Sequence, residues 1–142
     1  AVMADGSPER SGMTMVPVRT NPQIALVDGD AAVRHARQLL LRAEGFNVRA
    51  YASAPSLLAD PLARASACII AEVVMPEIGG VEVLRSMRRM RWSGGAILLS
   101  DTLTEQLAAE AKELAFVLLV PCDVPDRALI EAIRAATAEP AL

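Results

Sequence analysis

Cys68-Ile69-Ile70-Ala71-Glu72 runs into Val73-Val74-Met75-Pro76 and, after Glu77-Ile78, into Gly79-Gly80. An apolar run of strand length is closed by a carboxylate, then broken by a proline and paired glycines. Val81, Leu84 and Met87 follow at helical spacing, the inner face of a helix. Strand, polar tip, breaker and helix in that order form one βα unit, and the question is how often it recurs.

It recurs along the rest of the chain. Ile24-Ala25-Leu26-Val27 is stopped by Asp28-Gly29-Asp30, and residues 31 to 44 read as a helix ended by Gly45. In that helix Val33, Ala36, Leu40 and Ala43 are expected to face inward, with Arg34, Arg37, Gln38 and Arg42 outside. Asn47 to Ala52 is a second strand, Ser53-Ala54-Pro55 opens a short helix through Leu58, and Ala67 to Glu72 is the third strand. Ala96 to Ser100 is the fourth, followed by a helix over 103 to 113 with Leu103, Leu107 and Ala111 inward. Ala115 to Val120 is the fifth, and after the loop from Pro121 to Pro125 a last helix over 126 to 137 turns Leu129, Ile133 and Ala136 inward. Continuously apolar strands alternating with helices imply a parallel sheet covered on both faces. The α/β class follows, as a flavodoxin-like (βα)5 three-layer sandwich with strand order 2-1-3-4-5.

Composition agrees with one domain in 142 residues. Hydrophobic residues make up 53% and aromatics 3%, so the core has to be built from Ala, Val, Leu and Ile. A net charge of −3 argues against direct nucleic-acid binding, which needs clustered positive charge. No apolar run reaches the roughly 18 residues of a membrane helix. Cys68 and Cys122 lack metal-ligand spacing and read as reduced thiols, which suits the cytoplasm. Residues 1 to 22 read as a flexible leader, 23 to 137 as the folded domain, and 138 to 142 as a tail or the start of a linker.

In a doubly wound sheet the functional cleft lies at the carboxyl ends of the strands. That rule alone selects Asp28, Gly29 and Asp30, then Glu72, Ser100, and Val120-Pro121. Asp28, Asp30 and Glu72 together could offer oxygen ligands to a hard divalent cation such as Mg²⁺. They are equally well read as polar strand ends meeting water.

At these residues a resemblance becomes specific. Val27-Asp28-x-Asp30, Val33-Arg34, Gly45-Phe46-x-Val48, Tyr51-x-Ser53, Met75-Pro76-x-x-Gly79-Gly80, Ile97-Leu98-Leu99-Ser100 and Pro121 occur in the order found in receiver domains. Residues 23 to 137 resemble the receivers of two-component response regulators, nearest to the FixJ-like subgroup. The resemblance implies an aspartate phosphoacceptor, an acidic pair and a backbone carbonyl that hold Mg²⁺, a hydroxyl residue, and a lysine before the last proline. Position by position, Asp28 keeps the first acid, Gly29 stands in place of the second, and Glu72 replaces the acceptor. Val74 supplies the carbonyl and Ser100 the hydroxyl, while Val120 replaces the lysine and Val117 the switch aromatic.

Lys112, the sole lysine, lies on another helix, so no cation is expected to make good the loss. A metaphosphate-like transition state needs positive charge around its oxygens and in-line placement. A glutamate one methylene too long displaces the nucleophile by about 1 Å, which costs on the order of 100-fold. The expectation is an atypical receiver, a pseudo-receiver rather than an enzyme, that needs no cofactor and acts by binding. Its partner would be a histidine kinase, an output domain of a transcription regulator, or a second receiver. The alternative is a working phosphoacceptor on Glu72 or Asp28 with Mg²⁺.

Receivers pair through the face formed by the fifth strand and its flanking helices, which here points to Leu103, Glu105, Leu107, Glu110, Arg127 and Arg134 as homodimer contacts. The same charges suit any solvated helix. Arg85, Arg88, Arg89 and Arg91 with Trp92 read as the solvated basic end of a helix. They could also dock an acidic partner.

Overall fold

The computed structural model describes residues 21–138. The leader read over residues 1 to 22 lies outside them except for Asn21 and Pro22, as does the tail after Ala138. Five parallel strands, β1 (Gln23–Val27), β2 (Asn47–Tyr51), β3 (Cys68–Glu72), β4 (Gly95–Leu99) and β5 (Val117–Val120), form one sheet in the order β2-β1-β3-β4-β5. The helices are α1 (Ala31–Ala43), α2 (Ala54–Ala59), α3 (Gly80–Arg89), α4 (Glu105–Leu114) and α5 (Asp126–Thr137), with a short 3₁₀ turn at Pro61–Ala65.

Alternation along each buried strand divides the core into two layers. Ala25, Val27, Ile69, Ala71, Ala96 and Leu98 point to α2, α3 and α4, where Leu57, Leu84, Met87 and Leu107 meet them. Ile24, Leu26, Ile70, Ile97 and Leu99 point the other way, onto Leu41 of α1 and Leu129 and Ile133 of α5. Burial of both sheet faces explains why the strands carry almost no polar residue before their tips.

The β3–α3 turn shows why two glycines stand at 79 and 80. A Cβ on Gly79 would run into the Val73 carbonyl, and one on Gly80 into the Glu72 carbonyl and the Leu98 side chain. The chain therefore doubles back tightly on the tip of β3 and fixes the backbone beside Glu72.

Three expectations are corrected. In α1 Leu41 is buried and Arg34, Arg37, Gln38 and Leu40 are half-buried, whereas Val33, Ala36 and Ala43, expected inward, are exposed. An arginine has an apolar stem that covers core surface and a charged head that reaches past it. Here the heads reach polar groups at the carboxyl end of the sheet, so a hydrophobicity pattern rotates the helix the wrong way. Leu103 precedes α4 and is exposed, because Thr104 caps that helix through the Leu107 N–H at 3.0 Å. Finally, β5 begins at Val117, since Ala115 and Phe116 adopt left-handed backbone angles with φ of 62° and 58°.

Candidate functional site

The carboxyl ends of β1, β3, β4 and β5 form one polar cleft, and an arginine closes it. Asp28 is buried at 3% exposure, and both of its carboxylate oxygens are engaged. Oδ1 accepts the Asp30 N–H at 2.9 Å, and Oδ2 accepts Nη1 of Arg37 at 3.2 Å. Nη2 of the same guanidinium donates to the Cys122 carbonyl at 3.1 Å, in the loop after β5. Arg34 donates to the Asp28 carbonyl at 2.8 Å. Two turns of α1 are thereby tied to the tip of β1, and Arg37 spans from there to β5.

The Asp30 carboxylate is turned away from this cleft. Its Oδ1 accepts the N–H groups of Ala32 and Val33 at 2.9 and 3.1 Å, capping α1. Such a cap stabilises by about 1 kcal/mol and fixes where the helix starts. Gly29 between them is exposed, and an added Cβ would meet only the Ala52 carbonyl, at 3.9 Å.

Glu72 is half-buried at the tip of β3, where its Oε2 accepts the Cys122 thiol at 3.8 Å. Burial and then the nearby Asp28 charge raise the Glu72 pKa, while Arg37 and the thiol hydrogen bond act against them. The Cys122 thiol is pushed up to about 11, first by burial and then by Asp101 and Glu72. It is a protonated donor at neutral pH, not a nucleophile. Ser100 is occupied locally: its Oγ donates to the Thr102 carbonyl at 2.6 Å and accepts the Thr102 N–H at 3.2 Å. Val74 is 85% exposed, Val120 half-buried and Pro121 exposed.

Comparison with known proteins gives the family. Residues 24–134 match the response regulator receiver domain family. The chain belongs to that family. It is 30% identical over 112 residues to the transcriptional regulatory protein FixJ of Azorhizobium caulinodans, covering 79% of this chain and 53% of that protein. It is 31% identical over 113 residues to the response regulator TodT of Pseudomonas putida, covering 80% and 50%. Among solved structures, FixJ-N aligns with a TM-score of 0.72 at 27% identity over 87% of this chain and all of the other. The Vibrio cholerae chemotaxis protein CheY4 aligns at 0.76 with 18% identity, over 82% and 99%, which bears on the fold alone. The receiver spans about half the length of the curated relatives it matches.

In this receiver the residues present do not fit a divalent cation. Asp28 is held by Arg37 and a backbone N–H, Asp30 caps α1, and Gly29 has no side chain to offer. Among the described residues no group of three or more His, Cys, Asp or Glu is arranged to hold a metal ion. The set Asp28, Asp30 and Glu72, considered above as metal ligands, is thus not assembled. The expectation that no cation reaches the cleft is corrected as well, since Arg37 brings one. Reading Arg37 as an outer residue of α1 and Cys122 as a small hydrophobe hid both. The available signal was the spacing Arg34, Arg37, Leu41, one helical face that contains a known core type.

Of the suggested pairing face, one residue is not at the surface. Leu107 is buried at 6% and belongs to the core. Glu110 accepts from Arg85 at 3.0 Å inside the chain, and Arg134 donates to Glu44 at 3.1 Å beside the α1–β2 turn. Leu103, Glu105 and Arg127 remain outward. The arginine run of α3 is mostly structural: Arg85 pairs with Glu82 and Glu110, Arg88 donates to the carbonyls of Leu114, Trp92 and Ala115, and Trp92 itself is buried. Among the described residues no helix is long and apolar enough to cross a membrane.

Proposed function

We propose that this receiver signals by binding a protein partner without accepting a phosphoryl group. One observation carries the reading: the Arg37 guanidinium bonds to the Asp28 carboxylate and to the Cys122 carbonyl across the cleft. In a phosphorylatable site a bound cation balances the acids and leaves oxygens free for the phosphoryl group. A fixed guanidinium balances the charge from within and holds the two strand tips together permanently. Glu72 then contributes a carboxyl whose ionisation is disfavoured, a poor property in a nucleophile, and Ser100 is already bonded to its own loop.

The domain is accordingly a signalling module in a two-component system rather than an enzyme, with no cofactor and a cytoplasmic setting. Curated relatives of about twice its span include a transcriptional regulatory protein. On that basis its output is transcriptional, through a domain or a partner protein, with a histidine kinase or second receiver as the upstream contact. Nucleic acid is not a direct ligand of this acidic domain. Leu103, Glu105, Arg127 and Arg134 are the exposed residues through which a homodimer would form.

Beryllofluoride, a phosphoryl mimic, tests the reading by NMR. No amide shifts near Asp28, Glu72 and Ser100 are expected on adding beryllofluoride and Mg²⁺ to this chain. A Gly29→Asp/Glu72→Asp/Val120→Lys variant should respond. Saturable shifts in the unmodified chain would instead support the phosphoacceptor reading, on Glu72 or Asp28.

A further inference from the structure

At the end of the sheet opposite the acidic cleft, the starts of β3, β4 and β5 and the end of α5 enclose a groove of about 580 Å³. Arg64, Ser66, Arg91, Ser93, Phe116 and Thr137 line it, and among the described residues no acidic side chain does. Its charge is opposite in sign to that of the chain as a whole, which is −3. Arg64 and Arg91 are exposed, and among the described residues neither has an acidic partner.

Two further observations concern the walls. Ser66 is buried at 5% exposure, and its Oγ makes no hydrogen bond among the described residues, although its carbonyl accepts the Trp92 indole N–H at 2.8 Å. A buried hydroxyl without a partner is rare enough to call for a reason. Phe116 is 77% exposed. It follows Ala115 in a pair of left-handed residues, neither of them glycine. Such residues are uncommon and persist where the surroundings over-determine them.

The over-determining group is Arg88. Its guanidinium lies 4.7 Å from the Trp92 ring centroid and donates to the carbonyls of Leu114 at 3.0 Å and Ala115 at 2.8 Å. The Phe116 carbonyl accepts the Ala96 N–H at 2.9 Å. A rigid turn thus presents a large aromatic at the rim of a basic groove.

We propose that this groove docks an acidic peptide segment of a partner protein. One carboxylate of the segment pairs with Arg64 and another with Arg91, and an apolar side chain lies on Phe116. Arginine forks suit carboxylates, and rigid aromatics beside them are the usual anchors of protein contacts. Two arginines on an otherwise acidic domain are too few for a nucleic acid backbone, which demands many phosphate contacts. The docking is independent of the acidic cleft, so this proposal and the phosphoryl-free reading can fail separately.

Fluorescence polarisation with a labelled Glu/Leu peptide of about ten residues is the test, beside a Lys/Leu peptide and a thymidine oligonucleotide of matched length. Saturable binding of the acidic peptide is expected, with amide shifts at Ser66 and Gly94. The Arg64→Glu/Arg91→Glu variant should weaken it at least about tenfold and Phe116→Ser several-fold, the scale of anchor residues. All three substitutions are on exposed side chains, and unchanged melting would show that the fold survives. No binding, equal binding of the lysine peptide or the oligonucleotide, or indifference to the arginine reversal would each overturn the proposal. A gain in affinity on removing residues 139–142 would overturn it too, by making the chain's own tail the occupant.

Discussion

Replacing Arg37 by alanine removes the one cation that, among the described residues, pairs with the Asp28 carboxylate. The Asp28 side chain is 4% exposed and that of Arg37 15%, so the ion pair is largely shielded from water. Breaking a buried pair by removing one member costs about 3–5 kcal/mol, because the remaining charge is stranded. Asp28 keeps its bond from the Asp30 N–H at 2.9 Å, which places the loss toward the lower end. The lost donation to the Cys122 carbonyl adds to it. Together these give about 3–4 kcal/mol for Arg37→Ala. For a domain of this size the melting temperature should fall by about 10 °C.

Urea unfolding monitored by circular dichroism measures the loss directly, provided the denaturant slope is unchanged. Adding Asp28→Asn to Arg37→Ala should recover a large part of it, since the stranded charge is then gone. The cycle of single and double variants should give a coupling of about 1–3 kcal/mol. A loss below about 0.5 kcal/mol, the size of an ordinary surface change, would refute the account of a closed cleft, as would strict additivity in the cycle.

Other outcomes follow from the same geometry. Glu72 has its pKa raised above the ordinary 4.5, so the folded chain holds that proton more tightly than the unfolded chain does. Its stabilising contribution is therefore full below the unfolded value and is lost as pH rises through the folded value. Glu72→Gln should flatten that part of the pH–stability curve and raise stability at neutral pH, as thermal melts between pH 4 and 7 would show. Gly29→Asp should fold with stability changed by less than about 1 kcal/mol, because the added Cβ has open space around it. A melt settles this. Leu107→Asp should unfold the domain or cost more than about 3 kcal/mol, whereas Leu103→Asp should cost under about 0.5, measured by urea titration.

Much of the fold was legible because both faces of the sheet are buried. That makes each of the three central strands an apolar run closed by a polar residue, and Gly45, Pro76 and Gly79-Gly80 punctuate the rest. The cleft was legible as a place, through the topology, and less so as a set of contacts. Arg37 escaped because hydrophobicity scales treat arginine as an outward residue, while its stem packs and its head serves the sheet's polar end. Asp30 was visible as an acid but not as a helix cap, although its place just before α1 is where capping aspartates stand. The shortened β5 left no trace, since Ala115 and Phe116 carry none of the glycine or asparagine signal that usually marks left-handed backbone.

The central claim is that this receiver does not take a phosphoryl group, and the mass of the intact protein tests it most directly. After incubation with acetyl phosphate and Mg²⁺, the chain should keep its mass while the Gly29→Asp/Glu72→Asp/Val120→Lys variant gains one phosphoryl group. A gain by the unmodified chain, traced by peptide mapping to Glu72 or Asp28, would contradict the account.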